Sequence, residues 1–227
     1  MASLAYAVLF WVVLHLAVAG PLRPALADRL GEAGFRALFS ILSAAGLVGL
    51  ILAYRAAPYV PLWPAPPGAR HAAMLLMLIA FVLLVFGASG SNPTSPAVAR
   101  LAGRGELPVH GITRITRHPM LWAFALWAVA HLLNNGHLAA LLLFGAILVT
   151  ALNGMASIDR KRRRALGPLW DKFAARTSIL PFAAILAGRN ELRPGELSPA
   201  RIAVGIALFA AALLLHGPLL GASPLAR

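Results

Sequence analysis

Six apolar runs constrain this chain more than any other feature: Leu4–Ala19, Leu38–Tyr54, Ala72–Ala88, Met120–Asn134, Leu138–Met155 and Ile202–His216. Each crosses, or nearly crosses, a hydrocarbon core of about 30 Å when helical. Only 12% of the 227 residues are charged and 60% are hydrophobic, whereas in soluble domains charged residues approach a quarter. The expected fold class is therefore all-α, a polytopic membrane bundle of about six transmembrane helices. Ala17-Val18-Ala19 imitates a signal-peptide cleavage site, but no Lys or Arg precedes the first apolar run. The expectation is a retained helix.

The cations support this span count. Seventeen of the 20 Lys and Arg fall in alternate loops: Arg23, Arg29 and Arg36; then Arg100, Arg104, Arg114 and Arg117; then the run from Arg160 to Arg201. Arg55, Arg70 and Arg227 make up the other side. The positive-inside rule then predicts cytoplasmic basic loops, both termini outside, and a multi-pass membrane protein. The net charge of +13 is accounted for by anionic headgroups of the bilayer, with no nucleic acid partner. One domain over 1–227 is expected, with a Pro-rich outer loop at 55–71 and a basic cytoplasmic loop at 157–200. In the outer loop, Pro58, Pro61, Pro64, Pro66 and Pro67 stiffen the backbone, and Tyr54, Tyr59 and Trp63 suit an aromatic belt. In the basic loop, Leu166, Trp170 and Phe173 recur at helical spacing, which predicts a helix lying on the membrane surface. Ile179–Leu186 is too short to span and reads as an interfacial or re-entrant segment. Asn134-Asn135-Gly136 predicts a tight turn between the fourth and fifth runs.

The candidate chemistry rests on histidine. Cysteine is absent, which excludes thiolate metal sites and cysteine nucleophiles. All seven acids (Asp28, Glu32, Glu106, Asp159, Asp171, Glu191 and Glu196) fall in predicted loops, so a proton relay or a Ser-His-Asp triad at depth has no support. The groups left at depth are imidazoles: His15, His131 and, at the end of the last run, His216. Neutral imidazole is the commonest axial ligand of heme iron, and two from different helices would clamp a porphyrin. The pair His15 and His131 leads, with His216 as the alternative partner. The plain alternative for each is a histidine bonding a neighbouring helix. Trp127, one turn before His131, would pack on a ring ligand or in the core. Arg117-His118-Pro119 opens the fourth run, with proline in the first helical turn. Arg117 and His118 would then face headgroups or the polar tail of a cofactor.

The residues Gly111-Ile112-Thr113-Arg114-Ile115-Thr116-Arg117-His118-Pro119, then Leu126-Trp127, Ala130-His131-Leu132 and Asn135-Gly136, resemble the NnrU family of bacterial membrane proteins. So do Leu22-Arg23, Asp159 with its basic run, Thr177-Ser178 and Pro181-Phe182. That resemblance implies an inner-membrane protein linked to nitrite and nitric oxide reduction, with a nitric oxide reductase system as partner. The same pattern is similar to plant zeta-carotene isomerase, of the same superfamily. It implies heme b held by two histidines, here His131 and His15, whose redox state gates cis–trans isomerisation of a hydrophobic polyene. The isomerase pattern carries a cysteine three residues before the second histidine; here that position is Ala128. A weaker resemblance is to isoprenylcysteine carboxyl methyltransferases, which use S-adenosylmethionine. Leu121 and Asp159 stand where that pattern has tyrosine and paired glutamates. A third reading is a non-enzymatic membrane assembly or regulatory factor.

Overall fold

The computed structural model describes residues 1–89, 92–94 and 106–225. Arg100, Arg104 and Arg227, counted above among the loop cations, lie outside them. Nine α-helical segments follow in chain order among the described residues: α1 Ala2–Val12, α2 Arg23–Arg55, α3 Ala69–Ser89, α4 Ile112–Ile115, α5 Pro119–Asn134, α6 Leu138–Leu166, α7 Pro168–Arg176, α8 Ala183–Leu186 and α9 Pro199–Leu220. The protein is thus an all-α, multi-pass membrane bundle. Four helices, α2, α3, α6 and α9, are long and apolar enough to cross a bilayer. The other two expected spans are shorter, Ala2–Val18 and Pro119–Asn134. At 1.5 Å per residue, α5 with its 16 residues reaches about 24 Å, short of a full hydrocarbon core. Large apolar side chains such as Tyr6, Ile41, Leu52, Leu75 and Leu214 are exposed, as lipid-facing surface requires.

Two expectations are corrected here. The first basic loop is helical: α2 starts at Arg23 and runs to Arg55, broken only at Gly31, whose φ of 72° no helix interior allows. The surface helix forms as α7, but its apolar face does not lie on lipid. Trp170 and Phe173 are 1% and 2% exposed and pack with Leu107 in a protein core. Lipid and protein interior reward the same apolar stripe, so the periodicity left the choice open.

The described chain divides into two compact units, Met1–Ala69 with Ala128–Gly154, and Arg70–Trp127 with Met155–Arg227. In the first unit α1 lies on α2, where Gly46 leaves room for the Phe10 ring. It also meets α6, where the Trp11 indole donates to Thr150 Oγ1 at 3.1 Å. Past Val12 the helix widens into a π-helix, Val13–Val18. The Pro-rich segment is docked rather than free. Leu62 and Trp63 N–H both donate to the Gly136 carbonyl (2.8 and 3.1 Å), and Leu138 N–H donates to the Val60 carbonyl at 2.9 Å. The expected tight turn after Asn134 is therefore also a receptor for the proline loop.

In the second unit glycines set the helix spacing. A side chain at Gly87 would strike the backbone of Met120 at 2.8 Å, and one at Gly205 would strike Val82 Cα at 2.8 Å. Close backbone approach of this kind is how lipid-embedded helices gain packing energy without a hydrophobic driving force. Ala80, Leu83 and Ala123 form the small core that results.

Candidate functional site

The first unit holds His15 and His131. His15 sits inside the π-helix, a distortion that recurs at functional sites because it shifts side-chain register within a helix. Its Nδ1 lies 3.0 Å from the Trp11 carbonyl oxygen. A carbonyl only accepts, so Nδ1 carries the hydrogen and Nε2 keeps its lone pair. The ring stacks on Trp11, centroids 4.0 Å apart, and meets the edge of Phe39 at 5.3 Å. His131 stacks on Phe144 of α6 at 4.7 Å. Both histidines are thus referred to α6: His131 through Phe144, and His15 through Trp11 and Thr150. Those two anchoring points are six residues apart, about 9 Å along the helix axis. His216, the alternative partner, hydrogen-bonds through Nδ1 to the Ala222 carbonyl just beyond α9. Among the described residues no cluster of three or more His, Asp and Glu forms a metal cage; an axial pair does not need one.

The second unit holds a polar cluster that sequence reasoning placed incorrectly. α6 does not stop where its apolar run stops. It continues to Leu166 and carries Asp159 inward rather than into a loop. Arg117 grips Asp159 with Nε at 3.0 Å and with Nη2. His118 Nε2 lies 2.7 Å from the other carboxylate oxygen. Arg117 Nη1 also donates to the Thr177 carbonyl at 3.0 Å. The side chains of Arg117, His118 and Asp159 are only 11%, 1% and 16% exposed. Arg117 and His118 therefore face a carboxylate. Because Asp159 accepts, His118 carries its hydrogen on Nε2, and its buried Nδ1 has no hydrogen-bond partner among the described residues. Burial pushes the His118 imidazole below its usual range, against the upward pull of Asp159. Asp159 thus orients the imidazole through Nε2.

A second latch lies beside it. Arg114 binds Glu196 in a fork, Nε to Oε2 at 2.7 Å and Nη2 to Oε1 at 2.8 Å, and donates Nη1 to Asn190 Oδ1 at 2.8 Å. The Arg114 guanidinium, helped by the Gly111 N–H, holds the Glu196 carboxyl at about 2, below its ordinary 4.5. A depressed carboxylate pKa adds stability above the unfolded value, and that stability is lost as pH falls toward the folded value. Stability should therefore decline as pH drops from 4.5 toward 2 in the native protein. In Glu196→Gln that component of the decline should be absent. Thermal melts across this pH range check it.

Ile179 forms a third tie. Its carbonyl accepts from Thr116 Oγ1 and Trp122 Nε1, both at 2.8 Å. Thr116→Val should cost about 2 kcal/mol, measured by thermal unfolding, because Oγ1 also accepts from the buried His118 N–H at 3.2 Å and both bonds are lost. Adding Trp122→Phe should cost about 1 kcal/mol more, because the half-buried Ile179 carbonyl then has neither donor. Trp127, singled out beside His131, belongs by its position to the second unit.

The profile of the family described as "NnrU protein" matches residues 3–224. Two curated plant proteins, each named "15-cis-zeta-carotene isomerase, chloroplastic", from Zea mays and Arabidopsis thaliana, are both 37% identical to this chain over 82 residues. The match takes in 36% of this chain and 22% of each relative, so the chain spans less than a quarter of their length. No solved structure matches.

Proposed function

The chain belongs to the NnrU family, and on that premise we propose that it is a b-type heme protein of the bacterial inner membrane serving nitrite and nitric oxide reduction. His15 and His131 are the axial ligands in this reading. The observation that carries it is the fixed tautomer of His15. A ligating imidazole donates its other ring nitrogen to a carbonyl or carboxylate, which orients the ring and raises its basicity. His15 does this to Trp11 from within a π-helix, with Nε2 left bare. Trp11 stacks on the His15 ring and Phe144 on the His131 ring, so each imidazole is held in a set orientation by an apolar aromatic neighbour. Bound heme would supply a one-electron couple. The chain's own part is to hold two imidazoles in set orientations among aromatic side chains.

The isomerase relatives favour a second use of the same site, cis–trans isomerisation of a long polyene. Ala128 provides no thiolate for ligand exchange, so redox sensing fits the residues better. The methyltransferase reading loses ground for a physical reason. The Arg117 guanidinium and the His118 ring, which would meet the cofactor, are already committed to Asp159.

The test is an absorption spectrum of the full chain purified from heme-replete cells. A Soret band is expected, with about one heme per chain by pyridine hemochrome assay. Its absence from folded protein would overturn the proposal.

A further inference from the structure

A cavity of about 340 Å³ lies in the second unit. Leu83 and Phe86 of α3, Trp122 and Leu126 of α5, Ile202 of α9 and Thr116 line it. Its two polar wall residues turn their polar atoms away, since Thr116 Oγ1 and Trp122 Nε1 both bond the Ile179 carbonyl. The wall is wholly apolar. The size falls in the range of small-ligand sites.

The feature that selects an occupant is Arg201. Its guanidinium stands over the Phe86 ring, 5.8 Å from the centroid, beside the wall of the cavity. Its Nη2 donates to the Ser89 carbonyl at 3.2 Å. All seven acids of the chain lie among the described residues, and none forms an ion pair with Arg201. A guanidinium offers five N–H donors in a planar fork, so Arg201 retains donors for a further acceptor. An apolar slot with an unneutralised fork beside it matches a molecule with a long hydrocarbon tail and an anionic phosphate. In a membrane that molecule is at hand.

We propose that this cavity holds one acyl chain of an anionic phospholipid, whose phosphate is held by Arg201. A zwitterionic phospholipid offers the same tail and the same phosphate, but its ammonium offsets the attraction to a cation. The guanidinium therefore confers selectivity, and the cavity confers retention.

The experiment uses the full chain in neutral detergent, stripped of co-purified lipid. It is titrated with dioleoyl phosphatidylglycerol or dioleoyl phosphatidylcholine and read by native mass spectrometry. Phosphatidylglycerol is expected to bind about tenfold more tightly, because the ammonium of phosphatidylcholine repels the guanidinium that both phosphates engage. Arg201→Gln should bring the two lipids level. Ile79→Trp places a large ring in the slot from a position that is itself 42% exposed, and should weaken both lipids alike. Melting temperatures of both variants near the parent value certify folding. Arg201→Lys, which keeps the charge and loses the fork, should fall between parent and Gln. Equal binding of the two lipids by the parent chain would overturn the proposal, as would a preference that survives Arg201→Gln. Unchanged binding in Ile79→Trp would also overturn it, because the tail would then lie elsewhere.

Discussion

Asp159→Ala is expected to destabilise the protein by about 3–5 kcal/mol, the cost of removing one partner from a buried ion pair. The loss is large because Asp159 answers two groups at once. Arg117 spans it with Nε and Nη2, and His118 donates to its second oxygen. Without the carboxylate, a guanidinium only 11% exposed stays buried and uncompensated. The accompanying loss of the Arg117–Thr177 geometry would loosen the chain where Arg117 N–H meets the Ser178 carbonyl. Two companions separate charge from packing. Asp159→Asn keeps the volume and loses the charge, and should recover little. The double variant Arg117→Met with Asp159→Ala removes both charges and should recover part of the loss. Thermal unfolding of detergent-solubilised protein measures all three. A loss under 1 kcal/mol for Asp159→Ala would mean that the cluster contributes no more than a surface pair.

Gly136→Ala carries the second large effect. A β-carbon there would fall well inside contact distance of the Trp63 carbonyl oxygen and 2.6 Å from Trp63 Cδ1. The obstacle is mainly backbone and cannot be relieved by a rotamer change. The proline segment must lift, and it takes with it the bonds from Leu62, Trp63 and Leu138. Three net hydrogen bonds amount to about 2–4 kcal/mol. Stacking of His137 on Tyr54 (5.9 Å) and its contact with Tyr59 (5.1 Å) would be disturbed as well. Limited trypsin digestion reports the lift directly. Cleavage at Arg55 and Arg70, which bracket the segment, should accelerate in Gly136→Ala. Parent-like digestion and melting would show that the segment tolerates the displacement.

The apolar runs were legible because a bilayer imposes length and composition on whatever crosses it. Helix ends were less so. At Met155 the residues turn from apolar to charged, which marks the edge of an apolar environment and not the end of backbone hydrogen bonding. α6 keeps its helical bonds through Arg160–Arg164 to Leu166. That continuation decides where Asp159 lies. Its partners stand 41 and 42 residues earlier, so no local pattern announced the cluster. Arg117-His118-Pro119 reads locally as a helix entry facing headgroups or a cofactor tail, whereas the carboxylate that both side chains meet lies one helix away. The π-helix around His15 leaves no signal in composition, since Val13–Val18 reads as ordinary apolar helix. Gly136 was read as a turn residue, which it is, but its demand for space comes from Trp63, seventy-three residues earlier.

The central claim is that two imidazoles of the first unit share one iron. Electron paramagnetic resonance of the oxidised, heme-replete full chain tests it most directly. A low-spin ferric signal of bis-imidazole type is expected. His15→Ala and His131→Ala should each convert it to high spin or lose the heme, while His216→Ala leaves it intact. A high-spin signal in the parent chain, or a low-spin signal that survives both substitutions, would contradict the account.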